Sequence, residues 1–149
     1  MTSGPASDEF PAWSPDGARL AFESEIDGNR DIFIVNLDGT ETVRLTDAPT
    51  RDSSPDWSPD GTRIVFESSG KGGADVFLVS TDGSGLTNLS NAPGSDLSPT
   101  WSPTGRHVAF VTDRDGNPEI YMMNADGTGV TRLTNDRGPD QDAVWRPGQ

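Results

Sequence analysis

Four aspartates are spaced as if to act together: Asp8, Asp52, Asp96 and Asp140 follow one another at intervals of 44 residues. A fixed interval of this size puts equivalent residues at equivalent points of a repeated unit. If the units turn about an axis, the carboxylates form a ring at the mouth of a channel. Such a ring suits a hard cation such as calcium, with Asp8, Asp52 and Asp96 as ligands, or a Lys or Arg offered by a partner. A local use competes: an aspartate ahead of a strand caps its own loop by accepting backbone N–H groups.

Other residue types narrow the chemistry by what they lack. Asp38-Gly39-Thr40, Asp82-Gly83-Ser84 and Asp126-Gly127-Thr128 miss the alternating acids and terminal Glu of a calcium loop, and read instead as hairpin turns. No cysteine is present, which removes a disulfide framework, a thiolate nucleophile and Cys-ligated zinc, and leaves the redox compartment open. His107 is the only histidine and stands where Arg19 and Arg63 stand in the other repeats, a position expected to be solvated. A nucleophile needs a positioned base, no Gly-x-Ser-x-Gly elbow occurs, and a single histidine does not make a zinc site without carboxylate help. The expectation is therefore a protein that is not an enzyme and has no cofactor other than calcium.

Formal net charge is −13, from 24 acidic and 11 basic residues, a field that repels phosphate backbones and favours cations and basic protein surfaces. Nucleic acid is excluded as the expected partner. Residues 1–10 carry neither a basic region nor an apolar run, and nothing downstream reaches the length of a membrane span. The chain as written is expected to have no signal peptide and no membrane span.

The elements that must hold these residues are marked by Trp13-Ser14-Pro15-Asp16-Gly17, which returns as Trp57-Ser58-Pro59-Asp60-Gly61 and as Trp101-Ser102-Pro103-Thr104-Gly105. Proline at the second position and glycine at the fourth fit a type I turn, with Asp16 and Asp60 as its structural polar residues. After each turn comes an apolar run such as Arg19-Leu20-Ala21-Phe22, then a stronger one such as Ile32-Phe33-Ile34-Val35. Consecutive apolar positions bury both faces of a strand. The fourth run, Val43-Arg44-Leu45-Thr46 and its equivalents, alternates and is more polar, as an outer edge should be. Trp13, Trp57, Trp101 and Trp145, equally placed, are expected to form core between repeats.

Four short strands per repeat, with a buried middle, predict an all-β propeller of four-stranded antiparallel blades. The boundaries are a tail at 1–7, blades at 8–51, 52–95 and 96–139, and an extra strand of an incomplete fourth repeat at 140–149. Taken together, Trp-Ser-Pro-Asp-Gly, Asp27-Gly28-Asn29, Asp31-Ile32-Phe33-Ile34, Asp38-Gly39-Thr40 and Arg44-Leu45-Thr46 resemble the TolB-like β-propeller repeat. That repeat also occurs in the propellers of prolyl oligopeptidase-type and dipeptidyl peptidase-like enzymes. The resemblance implies a propeller, commonly six-bladed, serving as a protein-binding platform in the bacterial envelope, hence a periplasmic or extracellular location. Asp8, Asp52, Asp96 and Asp140 would then face a protein or peptide partner. Three blades expose apolar faces at both ends, and a two-fold homodimer would complete a six-bladed ring. The alternatives are a piece of a longer propeller, the propeller of a prolyl oligopeptidase-like hydrolase, and a cation-binding structural or lectin-like module.

Overall fold

A computed structural model describes residues 7–70 and 72–146. Residues 1–6 of the expected tail and 147–149 of the expected extra strand lie outside the described residues. The described chain holds twelve strands. The first sheet contains β1 (Asp8–Trp13), β2 (Arg19–Ile26), β3 (Asn29–Asn36) and β4 (Thr42–Arg44). The second contains β5 (Arg51–Trp57), β6 (Arg63–Gly70), β7 (Gly73–Ser80) and β8 (Thr87–Asn88). The third contains β9 (Asp96–Trp101), β10 (His107–Thr112), β11 (Glu119–Asn124) and β12 (Thr131–Arg132). Each sheet is an antiparallel meander in chain order, the topology that short turns allow.

The turn chemistry is visible atom by atom. In the first Trp-Ser-Pro-Asp-Gly copy, Gly17 N–H donates to Ser14 O at 2.9 Å, while Asp16 Oδ1 accepts from Ser14 Oγ at 2.5 Å and from Ala18 N–H at 3.0 Å. Ser14 Oγ in turn accepts from Arg19 N–H at 2.9 Å, so one hydroxyl and one carboxylate satisfy the donors left by the turn. Between β2 and β3, Asp27 and Gly28 both take positive φ, 56° and 82°, as a two-residue hairpin loop of the primed type requires.

Burial follows the apolar runs. Phe22 faces Phe33 across β2 and β3, Phe66 faces Phe77, and Phe110 faces Tyr121, with ring centroids 5.8, 5.9 and 6.0 Å apart. Between sheets, Ala21, Ile32, Ile34 and Leu45 of the first pack with Trp57, Ile64 and Phe66 of the second. Val65, Val76 and Leu89 of the second pack with Trp101, Val108, Phe110 and Met123 of the third. These face-to-face layers are blades of a propeller.

Two expectations need adjustment. The outer strand is shorter than its four-residue run, because Thr46, Ser90 and Thr134 accept the N–H of Ile32, Val76 and Ile120 through side-chain oxygens. Those hydroxyls take over just past Leu45, Leu89 and Leu133, whose N–H groups still donate to the backbone of the third strand, and Leu45 and Leu89 lie buried. The extra strand expected at 140–149 is not formed over Asp140–Arg146. An inner strand is held by the second strand of its own blade, and among the described residues no such strand pairs with this segment.

Candidate functional site

In each sheet the first strand is an edge, and β1 lies against β5 as β5 lies against β9. All three carry the same irregularity. Three residues of the inner strand span the distance that two residues span on its neighbour: Glu9 to Ala12, Ser53 to Asp56 and Leu97 to Thr100. This is a β-bulge, and it bends the strand. Phe10, Ser54 and Ser98 take φ of 50°, 52° and 49°, and Asp142, one repeat further on, takes 58°. Left-handed backbone at four non-glycine residues costs about 1–3 kcal/mol each and recurs where backbone is shaped for a purpose. Pro11, Pro55 and Pro99 follow three of them. A proline there gives up no sheet hydrogen bond, because its side of the strand is a free edge.

Together these segments line a depression of ≈ 570 Å³, with Phe10, Trp13 and Val144 as apolar members and Ser54, Ser98 and Asp142 as polar ones. Carboxylates fasten it from behind. Glu67 accepts from Ser53 Oγ at 2.6 Å and from Ser98 N–H of the next blade at 2.8 Å. Glu23, one repeat earlier, is buried and ion-paired with Arg30. Burial, more than Arg30 offsets, holds its carboxyl above the usual range, while the Ser54 N–H works to lower it. The third equivalent is Val111, so the Asp142 N–H meets no such carboxylate.

Asp56 also lines the depression. It accepts from Trp101 N–H at 2.7 Å and Thr100 Oγ1 at 3.1 Å on the next blade, and from Trp57 N–H at 3.0 Å. Burial raises its pKa against those hydrogen bonds. No cation stands among its hydrogen-bond partners, so the three donors alone hold it in place.

The aspartates singled out by spacing are placed differently. Asp52 is buried and accepts from Ser68 Oγ at 2.5 Å and Thr50 Oγ1 at 3.2 Å, and burial raises its pKa. Asp96 is buried and ion-paired with Arg114 at 2.9 Å. Asp8 is exposed beside Ser24 in the register of β1 and β2. Asp140 is half-buried and uses its N–H on Pro118 O at 2.8 Å. The metal set Asp8, Asp52 and Asp96 is not brought together: among the described residues no group of three or more His, Asp or Glu is placed to hold an ion. Asp52 and Asp96 begin their inner strands facing the second strand of their own blade, so separate sheets engage them. They act locally, in place of the expected ring at the channel mouth.

Trp57 and Trp101 behave as the expected inter-blade core, Trp145 is half-buried, and Trp13 departs from the expectation because among the described residues no blade packs over it. Trp57 and Trp101 are 4% and 5% exposed, with Arg19 and Arg63 over their rings at 4.7 and 4.9 Å. Trp57 Nε1 donates to Ala12 O at 3.0 Å, and Trp145 Nε1 repeats the bond to Thr100 O at 3.1 Å. Trp13 is 61% exposed. His107, expected to be solvated, is half-buried and stacks on Trp145 with centroids 6.5 Å apart.

Sequence spacing missed the bulges, the Glu23 and Glu67 contacts, and Asp56. A proline inside each inner strand was the available sign of a bulge.

The family described as TolB beta propeller domain matches residues 2–92 and 84–149. Among solved structures, a protein described as a TolB from Agrobacterium tumefaciens is 30% identical with a TM-score of 0.80, over 90% of this chain and 50% of its own. TolB from Acinetobacter baumannii is 25% identical with a TM-score of 0.82, over 93% of this chain and 35% of its own. Puromycin hydrolase, at 15% identity and a TM-score of 0.72, shares the fold over 93% of this chain and 23% of its own. The chain thus spans half of one TolB structure and about a third of the other. Curated proteins gave no match.

Proposed function

Since the chain belongs to the TolB beta propeller domain family, we propose that it is a non-enzymatic binding module that receives a basic, extended segment of a protein or peptide partner in the depression between its inner strands. The observation that carries this reading is the repetition of one bulge, at one φ, in three inner strands and again at Asp142. Repeating strained backbone around a common surface shapes that surface at a cost in stability, which points to use. Its ≈ 570 Å³ falls in the range of ligand-holding clefts. A net charge of −13 selects a basic partner. A periplasmic or extracellular location belongs to the same proposal and rests on the family resemblance. The likeness to puromycin hydrolase is one of fold and does not favour a hydrolase.

A fluorescein-labelled decapeptide of alternating Arg and Gly, titrated into the chain and followed by anisotropy, tests the reading, with an Asp–Gly decapeptide as control. Binding of the basic peptide should weaken with added salt and fall about tenfold on Asp142→Arg, a change that reverses one charge on the rim. Equal signals from the two peptides, or none from either, refute the proposal.

A further inference from the structure

The blade interface is one device used three times, and among the described residues one half of it has no counterpart. Trp57 seats on the first blade beneath Arg19, Trp101 on the second beneath Arg63, and Trp145 on the third beside His107. Trp13 carries the same side chain at the same repeat position, and no described blade precedes it to supply a seat. It stands 61% exposed beside Phe10 at 56%. We propose that this face of the first blade docks on the third blade of a second copy of the chain, in the seat that Trp145 holds when the chain is alone.

The receiving face is built for a whole blade and is covered by less. Leu45 and Leu89, which cover the Trp seats on the first two blades, are 8% and 7% exposed, and their counterpart Leu133 is 53% exposed. A cavity of ≈ 260 Å³ remains between the segment ending in Trp145 and the blade, lined by Ala109, Ile120, Leu133 and Val144. That segment brings one unpaired stretch where a neighbouring blade brings four strands.

The segment is also held less firmly than its counterparts. His107 replaces the arginine above the ring, so an imidazole stacks at 6.5 Å where guanidinium groups lie at 4.7 and 4.9 Å in the other two seats. Val111 stands where Glu23 and Glu67 anchor the next inner strand, and Val144 is 89% exposed. A blade that offers Trp13 together with paired strands buries more apolar surface in the same place, so it displaces the segment. Each copy has one Trp13 face and one seat, and two copies satisfy both when the arrangement closes on itself. Because the occupant reproduces an interface seen twice inside the chain, its chemistry is that of this chain. The inference stands apart from the peptide reading: added salt screens the repulsion between two chains of net charge −13 and strengthens docking, whereas it weakens capture of a basic peptide.

Light scattering on the full chain eluting from a sizing column, loaded from about 1 to about 100 μM, reads the outcome. The chain should convert from one copy to two as concentration rises. Trp13→Ala should weaken that association about tenfold or more, as removal of a central aromatic anchor does. Trp145→Ala removes the competitor and should tighten it. Trp13 is exposed, so its variant keeps the fold, and an unchanged far-ultraviolet dichroism spectrum verifies this. A single-copy mass for both the parent chain and Trp145→Ala overturns the inference. So does a dimer that Trp13→Ala leaves unaltered, or open assemblies of more than two copies.

Discussion

Trp57 and Trp101 form a matched pair that isolates one hydrogen bond. Their exposures are 4% and 5%, and each lies under an arginine, at 4.7 and 4.9 Å. They differ at Nε1: that of Trp57 donates to Ala12 O at 3.0 Å, whereas that of Trp101 is buried without a partner among the described residues. Replacing each by Phe removes similar apolar area and similar packing over the arginine, so those losses cancel in the comparison. Trp57→Phe additionally forfeits a made hydrogen bond, worth about 1 kcal/mol net, while Trp101→Phe relieves an unmade one that costs about 1–3 kcal/mol. Trp57→Phe should therefore be the more destabilising by about 2–4 kcal/mol. At a urea slope of about 2 kcal/mol/M, the two unfolding midpoints should stand about 1–2 M apart. Equal midpoints, or a lower midpoint for Trp101→Phe, would show that the indole N–H groups do not set the difference between the two interfaces.

Stability should peak on the acid side of neutrality. Burial raises the pKa of Glu23, Asp31, Asp52 and Asp56. A carboxyl whose folded pKa is raised contributes stability that is complete below its unfolded value and is lost as pH rises through the folded one. Hydrogen bonds lower Asp16, Asp38, Asp82 and Asp126, and bring Asp60 to about 2. Their contribution is present above the ordinary value of 3.8 and is lost as pH falls through the folded values. Calorimetric melting across pH should thus rise on acidification from neutrality and fall again below that value, and a maximum at alkaline pH would contradict it. In the third Trp-Ser-Pro turn, Ser102 Oγ meets Thr104 Oγ1 at 3.3 Å where its counterparts meet Asp16 and Asp60. Thr104→Asp restores an acceptor for the Arg106 N–H and should add about 0.5–1 kcal/mol, seen as a melting temperature about 2–4 °C higher. No rise would mean that the turn is set by Pro103 and Gly105 alone.

The fold was legible because the signals that define it are local and recur. Pro15-Asp16-Gly17 fixes a turn through φ and two side-chain oxygens, and Ile32-Phe33-Ile34-Val35 can be buried only between two layers. Neither depends on knowing what lies across the blade. The shortness of the outer strand was less open to reading: Thr46 looks like a strand residue until its hydroxyl is seen to replace the next backbone acceptor of Ile32.

The site was legible in position but not in orientation. A 44-residue spacing places Asp8, Asp52, Asp96 and Asp140 at one station of the repeat, but says nothing of which way a carboxylate points. One inserted residue in each inner strand decides that. In a regular strand the side-chain period of two carries an outward orientation from the start of the strand to its end. The bulge breaks that period, so Asp52 turns toward Ser68 of its own blade while Ser54 and Asp56, past the insertion, face the shared depression. The order of events along the strand is thus aspartate, bulge, proline, tryptophan. The aspartate secures the strand to its own sheet, the proline closes the free edge to hydrogen bonding, and the tryptophan secures the strand to the blade before. What remains to meet a partner is the bulge itself, which carries Phe10, Ser54, Ser98 and Asp142 in turn. With the backbone held at φ between 49° and 58° while the side chain differs between copies, the bulge sets the shape of the depression and its side chains set the chemistry offered there.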